Sequence, residues 1–387
     1  MRIETFAMER LQSTWENRVE FNLSESGVHP LRLEELLGAG PDGESRSGDL
    51  TRLLRQELVY TQSNGTPELR RAIAALYPGT TEEHIEVTNG GSEANYLAVW
   101  HLVEPGDEVV MMTPNYMQAW GLVRGFGGVV KPWPLREQET AAGRRWRHDL
   151  DELARLVTSR TKLILICNPN NPTGARLEEA DLDGIATVAA RHGTWILADE
   201  IYRGAELDGR ETASSWGRSD RVIITSGLSK AYGLPGLRIG WIVAPPTLAA
   251  SLWSYHDYTT IAPGALSDLL ARIALDPAHR PSILERTQRI IRTNYPVIRD
   301  WLASHGDAFS HAAPDAGAIV YVGYRHGINS TELVTRLRDA HSVLIVPGDH
   351  FNMDGYLRIG FGSETPHLIE GLRRLHLLLE TATVRPV

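Results

Sequence analysis

From about residue 84 onward, short β-branched runs alternate with helix-like stretches, a pattern that restricts the chain to an α/β fold with a largely parallel sheet. The candidate strands are IEVT at 85–88, EVVMM at 108–112, KLILIC at 162–167, WILAD at 195–199, VIIT at 222–225 and IGWIVA at 239–244. Several of them run straight into polar or glycine-rich residues. Ligands of open α/β sheets bind at the carboxyl edge of the strands, so these residues are expected to converge on one site.

After about residue 280 the pattern changes. A long helical stretch, SILERTQRIIRTNYPVIRDWLASHG, leads to the strand-like GAIVYVGY and YLRIGFG. This predicts a large domain over 46–280 and a smaller α+β domain over 281–387, with the polar, turn-rich segment 1–45 packed on the smaller one. In the last helix Leu368, Leu372, Leu375 and Leu379 fall at helical spacing and are expected to form a core stripe.

Charge narrows the partners. Lys plus Arg total 39 against 48 Asp plus Glu, a net −9 that argues against neutralising a nucleic-acid backbone. The opening MRIETFAMERLQSTW lacks the apolar core of a secretory signal, and runs such as LILIC at 163–167 are too short to span a membrane, so a cytoplasmic location is expected. The one cysteine, Cys167, cannot form an internal disulfide. At the end of a buried strand it reads as packing rather than as a reactive thiol. The histidines show no H-E-x-x-H spacing, and no metal is expected.

Lysine is scarce: only Lys131, Lys162 and Lys230 occur. The first two suit surface charge. Lys230 lies in TSGLSKAYGLPGLRIGW, just after a strand and before a punctuated turn, where an amine can reach a ligand. An amine in a dry pocket near cations has a lowered pKa, which a nucleophilic lysine requires. CNPNNPTG at 167–174 and ADEIYRG at 198–204 bring an amide, a carboxylate and a phenol to the same edge. Taken alone, Asn171 could be a turn residue and Tyr202 a core phenol.

NPNNPTG, DEIY and the SLSK-type segment, in this order, resemble the class I/II aminotransferases, the fold-type I pyridoxal 5'-phosphate (PLP) family with the aspartate-aminotransferase fold. The resemblance covers nearly the whole chain. It implies a mostly parallel seven-stranded sheet, a smaller C-terminal domain, and Lys230 carrying the cofactor as a Schiff base. It also implies that Asp199 pairs with the pyridine nitrogen, that Tyr202 and Asn171 bond the phenolic oxygen, and that Tyr116 stacks on the ring. A carboxylate at that nitrogen keeps it protonated and makes the ring an electron sink.

For the phosphate, the resemblance implies Ser229, Arg238 and the first amides of a helix opening at Gly91, Ser92 and Glu93. Tyr60 matches a tyrosine that reaches the phosphate from a partner subunit, implying a homodimer. Gly227 departs from the Ser or Thr that many members have three residues before the lysine, so one phosphate contact is missing or comes from Ser226. Arg358 in YLRIGFG matches the arginine that holds a substrate α-carboxylate, a task suited to its planar fork. A domain-interface ion pair is its alternative, and the first reading implies an amino-acid substrate.

Two other patterns carry less. Gly38 to Gly43 fits G-x-G-x-x-G but follows no strand and contains Pro41. Gly227 to Ala231 approaches a G-x-S-x-G elbow, yet lacks the last glycine.

The stretch WENRVEFNLSESGVHPLRLEELL is similar to the corresponding part of capreomycidine synthases, PLP enzymes acting on 3-hydroxyarginine in antibiotic biosynthesis. That similarity implies Cα deprotonation, loss of the β-hydroxyl as water and addition of the guanidine nitrogen to Cβ, from 3-hydroxyarginine or 3,4-dihydroxyarginine. A guanidinium-bearing substrate calls for a carboxylate, for which Glu25 and Glu9 are the candidates; either could instead be a helix-start or surface charge. Ordinary transamination between an amino acid and a 2-oxo acid stays open beside it.

Overall fold

The computed structural model describes residues 2–38, 47–141 and 143–382. The expected boundary at 45/46 and residues 39–43 of the glycine-rich run lie outside the described residues. After the short β1 (Phe21–Asn22) come β2 (Ile85–Thr88), β3 (Glu108–Thr113) and β4 (Val129–Pro134), then a hairpin of β5 (Arg136–Thr140) and β6 (Gly143–Arg147). They are followed by β7 (Thr161–Cys167), β8 (Trp195–Asp199), β9 (Val222–Gly227) and β10 (Gly240–Val243).

Seven of these form one sheet in the order β2-β10-β9-β8-β7-β3-β4. Only β10 runs against its neighbours, so β2, β3, β7, β8 and β9 all end at one edge. The parallel strands are buried on both faces, which explains why they read as unbroken apolar runs rather than as alternating ones. The fold is that expected from the sequence, with one strand of this sheet unforeseen. VVKPWP became β4 because it is the sheet's outer strand, where the missing N–H groups of Pro132 and Pro134 cost no ladder bond.

Lys131 on β4 is less superficial than its sequence context suggests. Its Nζ lies 2.5 Å from the Glu108 carboxylate, which Arg160 also meets at 2.6 Å. Glu108 is almost wholly buried, and the hydrogen bond from Lys131 leads the interactions that hold its carboxyl down at about 2, against an ordinary 4.5. A lowered folded-state pKa contributes stability that is present above the unfolded value and is lost as pH falls through the folded one. In urea unfolding, wild type should exceed Glu108→Gln by roughly 1–3 kcal/mol at pH 7, with the gap closing between pH 4.5 and 2. An equal gap at pH 7 and pH 3 would refute the ionised pair as its source.

The second layer contains β11 (Phe309–His311), β12 (Ile319–Tyr324), β13 (Val343–Leu344), β14 (Val346–Pro347) and β15 (Tyr356–Gly360). An antiparallel sheet orders them β11-β12-β15-β14, while β13 pairs with β1. Leu368, Leu372, Leu375 and Leu379 are buried in this layer's core, on the helix Thr365–Ala382. The 25-residue helix Arg280–Ser304 joins the layers: Ile283 and Leu284 sit in the large-sheet core, Ile291 and Ile298 in the other.

The N-terminal segment packs on the C-terminal layer and also reaches the large sheet. Leu23 and Val28 are buried in that layer, but Met8, Leu36 and Leu37 belong to the core of the large sheet. Apolar residues at both ends of the segment make it a clasp across the two layers. Among the described residues no helix is long and apolar enough to cross a membrane.

Candidate active site

Between the layers, at the carboxyl edge of the sheet, lies a cavity of about 320 Å³. Each motif reaches it from a strand end. Asp199 closes β8 opposite Cys167 on β7 and Thr225 on β9. Its Oδ2 accepts from Asn95 at 2.9 Å and its Oδ1 from the Ile201 amide at 3.1 Å. Asn95 is itself oriented by the Thr225 hydroxyl at 2.6 Å. Burial pushes the Asp199 carboxyl up, opposed by these hydrogen bonds and by the nearby charge of Lys230.

In the loop NPNNPTG the three asparagines divide the work. Asn168 accepts from Leu177 N, and Asn170 accepts from Thr173 and donates to Pro114 O, so both hold the loop's shape. Asn171 alone of the three lines the cavity, and its Oδ1 accepts from Arg358 Nη1 at 2.9 Å. Tyr202 donates to Ser26 Oγ at 2.8 Å, and burial raises its phenol above the ordinary value.

Arg358, on β15, is 1% exposed. Its Nη2 donates to Ser24 O at 2.5 Å, while its Nε has no protein acceptor among the described residues. Among the described residues no carboxylate pairs with it directly, unlike the domain-interface ion pair named as its alternative. Burial lowers its pKa, with the negative charges of Glu25 and Glu9 partly opposing.

Lys230 reaches the cavity three residues after β9, with Nζ 3.5 Å from Glu25 Oε2. The charge of Lys230 is the leading cause of a lowered Glu25 carboxyl. Tyr116 donates to Glu9 at 2.8 Å and packs edge-on against Phe6 at 4.9 Å. Glu16 also lines the cavity; burial raises its carboxyl, and the charges of Glu25 and Glu9 add to the shift.

On the opposite wall, the helix Gly91–Leu102 opens directly after β2. Its first amides, those of Gly91 and Ser92, have no partner within the helix, whereas the Glu93 amide is bonded to Gly90 O at 3.1 Å. Gly90 sits at φ +89, and a Cβ there would collide with the Arg238 guanidinium. Arg238 itself takes a left-handed φ of +50, a locally strained conformation of the kind that gathers at binding sites. Ser229 lines the same wall. Ser226 does not, because its hydroxyl donates to Glu200 O at 3.2 Å, so it does not stand in for the contact absent at Gly227.

Two sequence candidates lie outside the cavity. The side chain of Glu93 turns away to Thr260 and His256, and Tyr60 is 85% exposed. Conversely Gln12, Glu16, Ser26 and Asn95 line it although no motif pointed to them. Only Asn95 left a trace in the sequence, one helical turn beyond Gly91 on the same face.

A lysine facing a buried carboxylate, with a glycine-arginine cradle on one wall, suits an aldehyde cofactor bearing a ring nitrogen and a phosphate, as in the PLP-dependent proteins of fold type I. The donor set fits: a polarised acid for the nitrogen, free amides and a guanidinium for the phosphate. The chain belongs to the family of class I and II aminotransferases, whose family model matches residues 27–375, and PLP is its cofactor. It is 33% identical over 351 residues to a capreomycidine synthase of Streptomyces vinaceus, covering 91% of this chain and 87% of that protein. Among solved structures, a PLP-dependent aminotransferase from Streptococcus suis has a TM-score of 0.89 at 32% identity, with full coverage of both chains. The PLP-dependent cyclase OrfR gives 0.86 at 26% identity, with 98% of each chain covered.

Proposed function

We propose that this chain is a dehydrating cyclase that converts 3-hydroxyarginine, or 3,4-dihydroxyarginine, to capreomycidine or its hydroxy form in antibiotic biosynthesis. The similarity to a capreomycidine synthase and to a cyclase supports this reading. The observation that carries it is the acidic crown of the cavity, which Glu9, Glu16 and Glu25 line together. Carboxylates so placed suit a guanidinium and repel the acidic side chains of common transamination substrates.

In this reading Arg358 and Asn171 hold the substrate α-carboxylate, and Lys230 takes the Cα proton. Bound PLP supplies an electron sink that stabilises charge at Cα. Asp199 holds the ring nitrogen, Tyr202 and Asn171 the phenolic oxygen, and Tyr116 one face of the ring. The amides of Gly91, Ser92 and Glu93, with Ser229 and Arg238, hold the phosphate. Of these, Glu93 contributes least, since its amide is already bonded to Gly90. Overall the Cα proton and the β-hydroxyl leave as water, a guanidine nitrogen bonds to Cβ, and Cα regains a proton as that nitrogen loses one. No 2-oxo acid is consumed.

The exposed Leu54, Leu58, Val59 and Tyr60 suit a homodimer interface in which Tyr60 reaches the partner's phosphate site. A cytoplasmic, PLP-loaded homodimer completes the proposal. The second reading, an ordinary aminotransferase, is favoured by the Streptococcus suis neighbour.

One assay separates the two. Given 3-hydroxyarginine without any 2-oxo acid, the holoprotein should make many equivalents of a cyclic product lighter by one water. A single stoichiometric conversion to aminated cofactor, restored by 2-oxoglutarate, would establish transamination instead.

A further inference from the structure

One buried polar cluster has no part in the chemistry above, and it lies against the turn Asn89–Glu93. His256, at the end of the helix Pro246–His256, and Glu86 on β2 are 0% and 1% exposed. The imidazole Nδ1 is 2.7 Å from Glu86 Oε1, and Nε2 is 2.9 Å from Thr260 Oγ1 and 3.4 Å from Glu93 Oε2. Thr260 gives its single hydroxyl proton to Glu93, at 2.9 Å and 3.0 Å from the two oxygens, so towards His256 it can only accept. Nε2 therefore carries a proton.

Burial alone would lower the imidazole, but the hydrogen bonds to Glu86 and Glu93 outweigh it and raise it to about 9. The ring thus bridges two acidic side chains: burial pushes the Glu86 carboxyl up as well, to about 7, so the two share the proton at Nδ1, while the Nε2 proton points toward Glu93. Such a buried ionic group is a poor source of stability compared with apolar residues of the same volume, so its value lies in what it fixes. What it fixes is the Glu93 carboxylate, whose Oε2 accepts from the Asn89 amide at 2.6 Å and closes the turn from behind. At the front of the same turn, Arg238 Nη2 lies 3.4 Å from Asn89 O.

We propose that His256 is a positioning residue for the cofactor phosphate: by locking Glu93 onto the Asn89 amide, it holds the glycine turn so that the amides of Gly91 and Ser92 face the phosphate. This rests on the reading that the phosphate sits at that turn. His256 touches neither substrate nor cofactor; it acts through Glu93, whose side chain thereby gains a role that its amide lacks.

The test uses two ligands that differ only by the phosphate. Dissociation constants of the apoprotein for PLP and for pyridoxal are read by tryptophan fluorescence, in wild type, His256→Gln and Glu93→Gln. In both variants PLP should weaken about tenfold, the effect of roughly one charge-assisted hydrogen bond, and pyridoxal by less than about twofold. Equal weakening of both ligands, or of neither, overturns the role of His256. If wild type itself failed to prefer PLP over pyridoxal, the placement of the phosphate would fall, and His256 with it. Should His256→Gln not fold, Glu93→Gln, a substitution of nearly equal volume, carries the comparison.

Discussion

Lys230→Ala is expected to lower turnover by at least about a thousandfold and to leave the cofactor bound without a covalent link. Lys230 is the one lysine lining the cavity, and Lys131, elsewhere in the sheet, is committed to Glu108. Among the described residues no other amine lines the cavity to attack the aldehyde or take the Cα proton from the same place. Borohydride reduction followed by peptide mapping should fix a pyridoxyl group on Lys230 in the wild type and nowhere in the variant. A label on a different residue, or undiminished turnover, would sink the assignment and every role built on it.

Asp199→Ala is expected to cost about two to four orders of magnitude in turnover while the protein still takes up cofactor. The ring draws charge from the substrate only while its nitrogen is protonated, and the buried carboxylate is the group placed to keep it so. Cofactor should persist because Gly91, Ser92 and Arg238, the groups proposed to hold its phosphate, are untouched. Asn95 would lose its acceptor, so Asn95→Ala, which removes the donor but not the charge, should cost far less than Asp199→Ala. Equal losses in the two variants would assign the effect to cavity shape rather than to charge.

The part of this architecture that depends on local pattern was legible from the sequence. Six strands, the lysine after β9 and the acid ending β8 all follow from runs of β-branched residues and what succeeds them. β4 was missed because two prolines argue against a strand, and only its place at the sheet's edge makes them harmless. Asn95, Gln12, Glu16 and Ser26 were missed for another reason. Ser26 meets Tyr202 across 176 positions of chain, a partnership that no window of sequence contains. Glu93 was named for its amide, when its carboxylate is the more engaged group.

The clasp formed by the first residues has a consequence for anyone re-engineering the molecule. The match to the family model begins at residue 27, yet Glu9, Gln12, Glu16, Glu25 and Ser26 all precede it. In the proposed reading, reactivity and selectivity sit on different stretches of polypeptide, the one embedded in the common scaffold, the other laid over it like a template. A chimaera assembled at that junction would inherit the proton-moving apparatus of one parent and the substrate taste of the other.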